Sequence, residues 1–107
     1  MSRKYRTWGE FMIETLQDPD ECIGLLEVAI EEYQEDGDTK ALMRIIEHIA
    51  KAQGGITKLS KDANINRQNL YKLFSCETSP RLDTITKILQ ALGFSLCVQP
   101  AYKEKRA

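Results

Sequence analysis

Residues 56–75 read ITKLSKDANINRQNLYKLFS, two short amphipathic stretches that meet at Asn64-Ile65-Asn66. At helical spacing, Leu59 and Ala63 on the first stretch, Ile65 between them, and Leu70 and Leu73 on the second fall on one inner surface. Asn64 stands where such a turn usually carries glycine, and asparagine is the non-glycine residue that best tolerates a left-handed backbone. Asn66 then serves as N-cap of the second helix. The pattern predicts a helix-turn-helix whose second helix presents Arg67, Gln68, Asn69 and Lys72 outward, an arrangement suited to reading DNA.

Working outward, Asp38 or Thr39 opens a preceding helix with Leu42, Ile45, Ile46, Ile49 and Ala50 at core spacing, stopped by Gly54-Gly55. Before it, Asp18-Pro19 supplies an N-cap and a proline in the first turn, with Asp20 and Glu21 complementing the helix dipole. That helix runs to about Gln34, on an apolar stripe of Cys22, Ile23, Leu26, Ala29, Ile30 and Tyr33, and Asp36-Gly37 ends it. A short helix around Phe11–Leu16, anchored by Trp8, Phe11, Met12 and Leu16, precedes it.

On the other side, Ser79 caps and Pro80 begins a last helix containing Leu82, Ile85, Ile88, Leu89 and Leu92, closed by Gly93. Residues 94–98, FSLCV, alternate apolar and polar as a half-buried strand does. A lone strand needs a neighbour, so it is expected to pair with a second copy or another protein. The fold class is therefore all-α, a helix-turn-helix bundle with one short C-terminal strand. The expected divisions are an acidic helical segment over 1–37, the helix-turn-helix domain over 38–98, and a disordered tail over 99–107.

At 107 residues the chain can build a core without staples. Its 42% hydrophobic and 29% charged residues exclude wholesale disorder. The net charge of −1 conceals a partition: residues 1–38 carry eleven acidic side chains against three basic ones, and residues 39–107 carry twelve basic against five acidic. Phosphate repels the front half and attracts the back half, which predicts a partner-facing front and a DNA-facing back. Cys22, Cys76 and Cys97 are odd in number and far apart, which argues against structural disulfides and zinc. The polar start MSRKYRTWGEF lacks the apolar core of a signal peptide, and no apolar run approaches the ~20 residues of a membrane span. A cytosolic protein, with no membrane association and no cofactor, is expected.

Arg67 and Gln68 occupy the first turn of the second helix, the part that reaches base edges in a major groove. Arginine matches guanine O6/N7 and glutamine matches adenine N6/N7, each pair contributing roughly 1–3 kcal/mol of discrimination. Lys72, one turn on, is placed either to read a base or to grip phosphate. Thr57 and Lys58 at one helix start, and Ser79 and Arg81 at another, are candidate phosphate contacts, although capping and solvation account for the same residues nearly as well. Asn66 and Asn69 are further backbone candidates, Asn69 being equally able to return a capping hydrogen bond. Tyr71 combines packing with a phosphate hydrogen bond. His48, the single histidine, has no ligand set around it and reads as a surface or helix-end residue. No HExxH, phosphate loop, Ser/His/Asp set or Cys/His pair points to an enzyme.

The order from Asp38 to Gly93 resembles the lambda-repressor-like (Cro-type) domain. Residues 11–98 are more narrowly similar to the HigA-like "probable addiction module antidote" group of antitoxins. The residues carrying this are the Asp18-Pro19 start, the Ala52-Gln53-Gly54-Gly55 junction, Arg67 with Leu70-Tyr71, and the Leu82-Asp83-Thr84 to Ala91-Leu92-Gly93 segment. The chain departs from the group at Cys76–Pro80, usually a Gly-Asn-Pro sequence, so that Ser79 must supply the cap. It departs again at Ser60, usually alanine, whose hydroxyl then needs a helix carbonyl.

The resemblance implies a small bacterial or phage-derived antitoxin that binds a RelE/ParE-like toxin and, as a homodimer on a DNA operator, represses their shared operon. A stand-alone phage-type repressor without a toxin is the alternative. The acidic helix is either a solvated face or, through Glu27, Glu31 and Glu32, a cover for the basic RNA-binding surface of such a toxin.

Overall fold

A computed structural model of the chain describes residues 17–101. The short helix expected at Phe11–Leu16 and most of the expected tail lie outside them. Among the described residues there are five helices and no strand: α1 (Pro19–Asp36), α2 (Thr39–Ala52), α3 (Gly55–Ala63), α4 (Arg67–Phe74) and α5 (Leu82–Ala91). The fold class is all-α.

Local chemistry sets most of the boundaries. Asp18 caps α1 by accepting from the Asp20 N–H at 3.0 Å, with Pro19 behind it in the first turn. α1 continues to Asp36, two residues past the expected end, and stops at Gly37, whose left-handed φ of 70° lets its N–H reach the Tyr33 carbonyl. Asp38 caps α2 through the Ala41 N–H. α2 ends at Ala52, and Gly54 and Gly55 take positive φ at the junction with α3.

Three helices close with the same device, a left-handed residue that returns two N–H groups to the last turn. Asn64 (φ 58°) does so after α3, with the Ile65 N–H on the Ser60 carbonyl. Cys76 (φ 62°) does so after α4, with the Glu77 N–H on the Lys72 carbonyl. Gly93 does so after α5, with the Phe94 N–H on the Leu89 carbonyl.

The core joins all five helices. α1 packs on α2, α2 on α3 and α4, and α3 on α4 and α5. Cys22 and Leu26 from α1 meet Met43, Ile46, Ile49 and Ala50 from α2. Ile56, Leu59 and Ala63 from α3, Leu70, Leu73 and Phe74 from α4, and Ile88 and Leu89 from α5 complete the cluster. The five residues expected on one inner surface are all there, with Ile65 half-buried; Met43, Ile56 and Phe74 join them.

Several expectations require correction. Ser79 does not cap α5 and Pro80 does not begin it. Residues 79–81 precede the helix, Arg81 is extended at the cap position, and α5 has no side-chain cap. Leu82 consequently sits at the helix start and is 73% exposed rather than in the core. In α1, Ile23 and Tyr33 lie at the edge of the apolar stripe and remain exposed. Residues 94–98 form no strand in this single chain. The Phe94 N–H is used in closing α5, its side chain packs on the core, and the following residues meet no neighbouring strand among the described residues that would complete a ladder.

Leu70→Ala should lower stability by about 2–5 kcal/mol in chemical denaturation, since the residue is wholly buried where three helices meet. By contrast, Cys76→Gly is expected to stabilise by roughly 0.5–1 kcal/mol at its left-handed position, and Asn64→Val to destabilise by about 1–2 kcal/mol.

Candidate nucleic-acid interface

The exposed face of α4 follows from what the helix must bury. Leu70, Leu73 and Phe74 point into the core, so Arg67, Gln68, Asn69, Tyr71 and Lys72 are left at the surface. The Asn66 side chain accepts the Gln68 N–H at 2.7 Å and fixes the first turn. Arg67 and Gln68 stand in that turn as expected, and Lys72 lies one turn further along. α4 carries two cations and no carboxylate.

The turn itself is pinned from α3. The Ser60 hydroxyl donates to the Ile65 carbonyl at 2.6 Å, so its partner is the turn rather than the helix carbonyl the sequence led us to expect. This bond and the closure at Asn64 hold the angle between α3 and α4.

One contact within the site was missed from sequence although its i,i+4 spacing is visible there. The Arg67 guanidinium lies 6.0 Å from the centre of the Tyr71 ring and its Nη2 donates to the Tyr71 hydroxyl at 3.4 Å. Cation–π attraction of about 0.5–1 kcal/mol at an exposed site holds the arginine along the helix surface. Tyr71 thereby orients Arg67.

The backbone candidates divide. Thr57 is exposed in the first turn of α3, which has Gly54 at its cap position and no side-chain cap. Lys58 is exposed but paired with Asp62 at 2.6 Å, and a Cβ at Gly54 would collide with its aliphatic stem. Arg81 is exposed and reaches Asp83 at 3.3 Å. Ser79 is exposed in the loop before α5.

The acidic candidates do not lie on one side of α1. Glu27 and Glu31 are one turn apart on the outward side of α1. Glu32 lines a cleft of about 220 Å³ between α1 and α2, together with Ala29, Tyr33, Leu42, Ile45 and His48. His48 is therefore half-buried against α1 and not simply a surface residue. Its Nδ1 is buried with no hydrogen-bond partner among the described residues. Burial holds its pKa below the ordinary value of 6.5, nearby Lys51 and Arg44 act in the same direction, and Glu47 opposes them. Two turns before Ala29 on the same buried side of α1, Cys22 accepts from the Gln53 side chain at 3.5 Å, and burial raises its thiol pKa. Among the described residues no group of three His, Cys, Asp or Glu is placed to hold a metal, and no helix is long and apolar enough to cross a membrane.

The family model for "Probable addiction module antidote protein" matches residues 10–100, well over half of the chain. The chain belongs to that family. The antidote is also similar to an uncharacterized protein of Haemophilus influenzae (strain ATCC 51907 / DSM 11121 / KW20 / Rd), 27% identical over 74 residues that cover 69% of this chain and 75% of that relative. No solved structure matches. Membership gives the antidote a role in a toxin–antitoxin system and implies a toxin as partner.

Because the folded pKa of His48 lies below the unfolded value, the unfolded chain takes up its proton first on acidification. Stability should thus be full above about pH 6.5 and decline as pH falls from there toward the folded pKa. Denaturation between pH 7.5 and 5.5 should show this slope in the native chain and a flatter profile in His48→Gln.

Proposed function

We propose that this antidote is a sequence-specific DNA-binding antitoxin, which neutralises a RelE/ParE-like toxin by direct binding and autorepresses the operon encoding both. α3, the turn and α4 act as a helix-turn-helix in a lambda-repressor-like, HigA-type bundle. The observation that carries this reading is the outward face of α4, polar and free of carboxylates, on a helix whose other face is locked into the core.

Docked in a major groove, Arg67 and Gln68 read base edges and Lys72 lies close enough to contact a base or the backbone beside it. Asn66, Asn69 and Tyr71 serve the flanking phosphates. Thr57 and Lys58 at the start of α3, and Ser79 and Arg81 ahead of α5, grip the backbone on either side. For Lys58 and Arg81 this means exchanging an exposed carboxylate partner for a phosphate. Both are surface pairs of about 0–1 kcal/mol, so the exchange is inexpensive.

The repressor acts as a homodimer on a palindromic operator, with half-sites about one helical turn apart. Apolar side chains left uncovered in the single chain support a second copy: Leu82, Leu96 and Val98 are 73%, 43% and 99% exposed. Pairing of residues 94–98 with the equivalent segment of the partner would cover part of them.

Toxin binding falls to α1. Its eighteen residues include seven carboxylates and no cation, a composition that matches the basic surface of a protein built to bind RNA.

In a mobility shift with the gene's own upstream DNA, the native chain should bind specifically and weaken steeply with salt. Arg67→Ala should reduce affinity by about 1–3 kcal/mol and relax specificity at one base position; equal binding to unrelated DNA would reject the reading. Reversal of Glu27, Glu31 and Glu32 to lysine should weaken toxin binding while leaving operator binding intact, and unchanged toxin affinity would remove α1 from the interface.

A further inference from the structure

α1 has a second side that its packing does not explain. Asp20, Gly24, Glu27, Val28, Glu31 and Glu35 recur every three or four residues, opposite the buried Cys22, Leu26 and Ala29. All six are exposed. Three properties of this side are unfavourable for the chain on its own.

Gly24 lies in the interior of a regular helix, where glycine weakens the structure relative to alanine. It is not among the residues with positive φ, and a Cβ placed on it would meet nothing within 4 Å. Neither backbone conformation nor packing among the described residues calls for glycine there. Glu27 with Glu31, and Glu31 with Glu35, are like charges one turn apart, and α1 offers no lysine or arginine to offset them. Val28 is 48% exposed in the middle of these carboxylates, and Ile23 at the edge is 44% exposed.

One kind of occupant relieves all three. We infer that this side of α1, centred on Gly24 and Val28, is the toxin-docking surface, and that a lysine- or arginine-bearing element of the toxin approaches the α1 backbone at Gly24. Its cations pair with Glu27, Glu31 and Glu35, its aliphatic stems cover Val28, and the missing side chain at position 24 admits close approach. A second copy docked α1 against α1 would set carboxylates against carboxylates, and nucleic acid is repelled by the same charges. The inference rests on the reading of the chain as an antitoxin and specifies which surface does the work. It also separates Glu27 and Glu31 from Glu32, which faces the α1–α2 cleft.

The test uses the full chain and the protein encoded by the adjacent reading frame, with affinity measured by calorimetry and stability by thermal melting. Gly24→Ala should raise the melting temperature of the free chain by about 2–6 °C and weaken binding of the neighbouring protein at least about tenfold. Val28→Lys should weaken it similarly without loss of fold, and Lys87→Ala in α5 should leave it unchanged. A stabilised Gly24→Ala that binds as tightly as the native chain, or one that gains no stability, overturns the docking surface while leaving the antitoxin reading in place. Failure of the native chain to bind its neighbour overturns both.

Discussion

An eight-residue helix has no stability of its own in water, and every property assigned to α4 depends on its being held by others. The hold is apolar. Leu70, Leu73 and Phe74 enter the cluster built by Ile46 and Ile49 of α2, Leu59 and Ala63 of α3, and Ile88 and Leu89 of α5. Burial of this kind contributes about 1.5–3 kcal/mol per large side chain, far more than any exposed contact on the helix. It also fixes the rotation of α4 about its axis, and hence which side chains face outward. The Ser60 hydroxyl on the Ile65 carbonyl and the left-handed Asn64 set the second angle, so the outward face is a rigid platform.

Much of this was legible in the chain because the relevant signals are local. A cap needs only its own side chain and the next two or three N–H groups, and Asp18, Asp38 and Asn66 all perform as their positions indicate. The same holds for Asn64, whose conformation is decided within one turn. Cys76 makes the same local closure after α4, but cysteine is not a residue type that signals it. The rest of what escaped was decided beyond the local turn: α5 starts only at Leu82, two residues after the proline expected to open it. His48 becomes half-buried only because α1 lies across α2. Residues 94–98 have the alternation of a strand but, among the described residues of one chain, no edge to pair with.

Charge divides the molecule in a way its total conceals. α1 has carboxylates and no cations, whereas α4 has cations and no carboxylates. On the proposed reading, in which the antidote meets both a toxin and an operator, the two encounters are kept apart by sign alone, since each surface repels the other's partner. This partition carries a stability penalty in the free chain, most visible in the like-charge rows of α1. Such local conflicts are expected where a surface is shaped for a partner rather than for the fold.

The decisive measurement is a titration of isotope-labelled chain with its own promoter fragment, followed by backbone amide shifts. Perturbation should concentrate on residues 66–72 and on the starts of α3 and α5, with the α1 amides unmoved. Shifts centred on α1, or the same faint response to any duplex, would contradict the assignment of α4 as the reading helix.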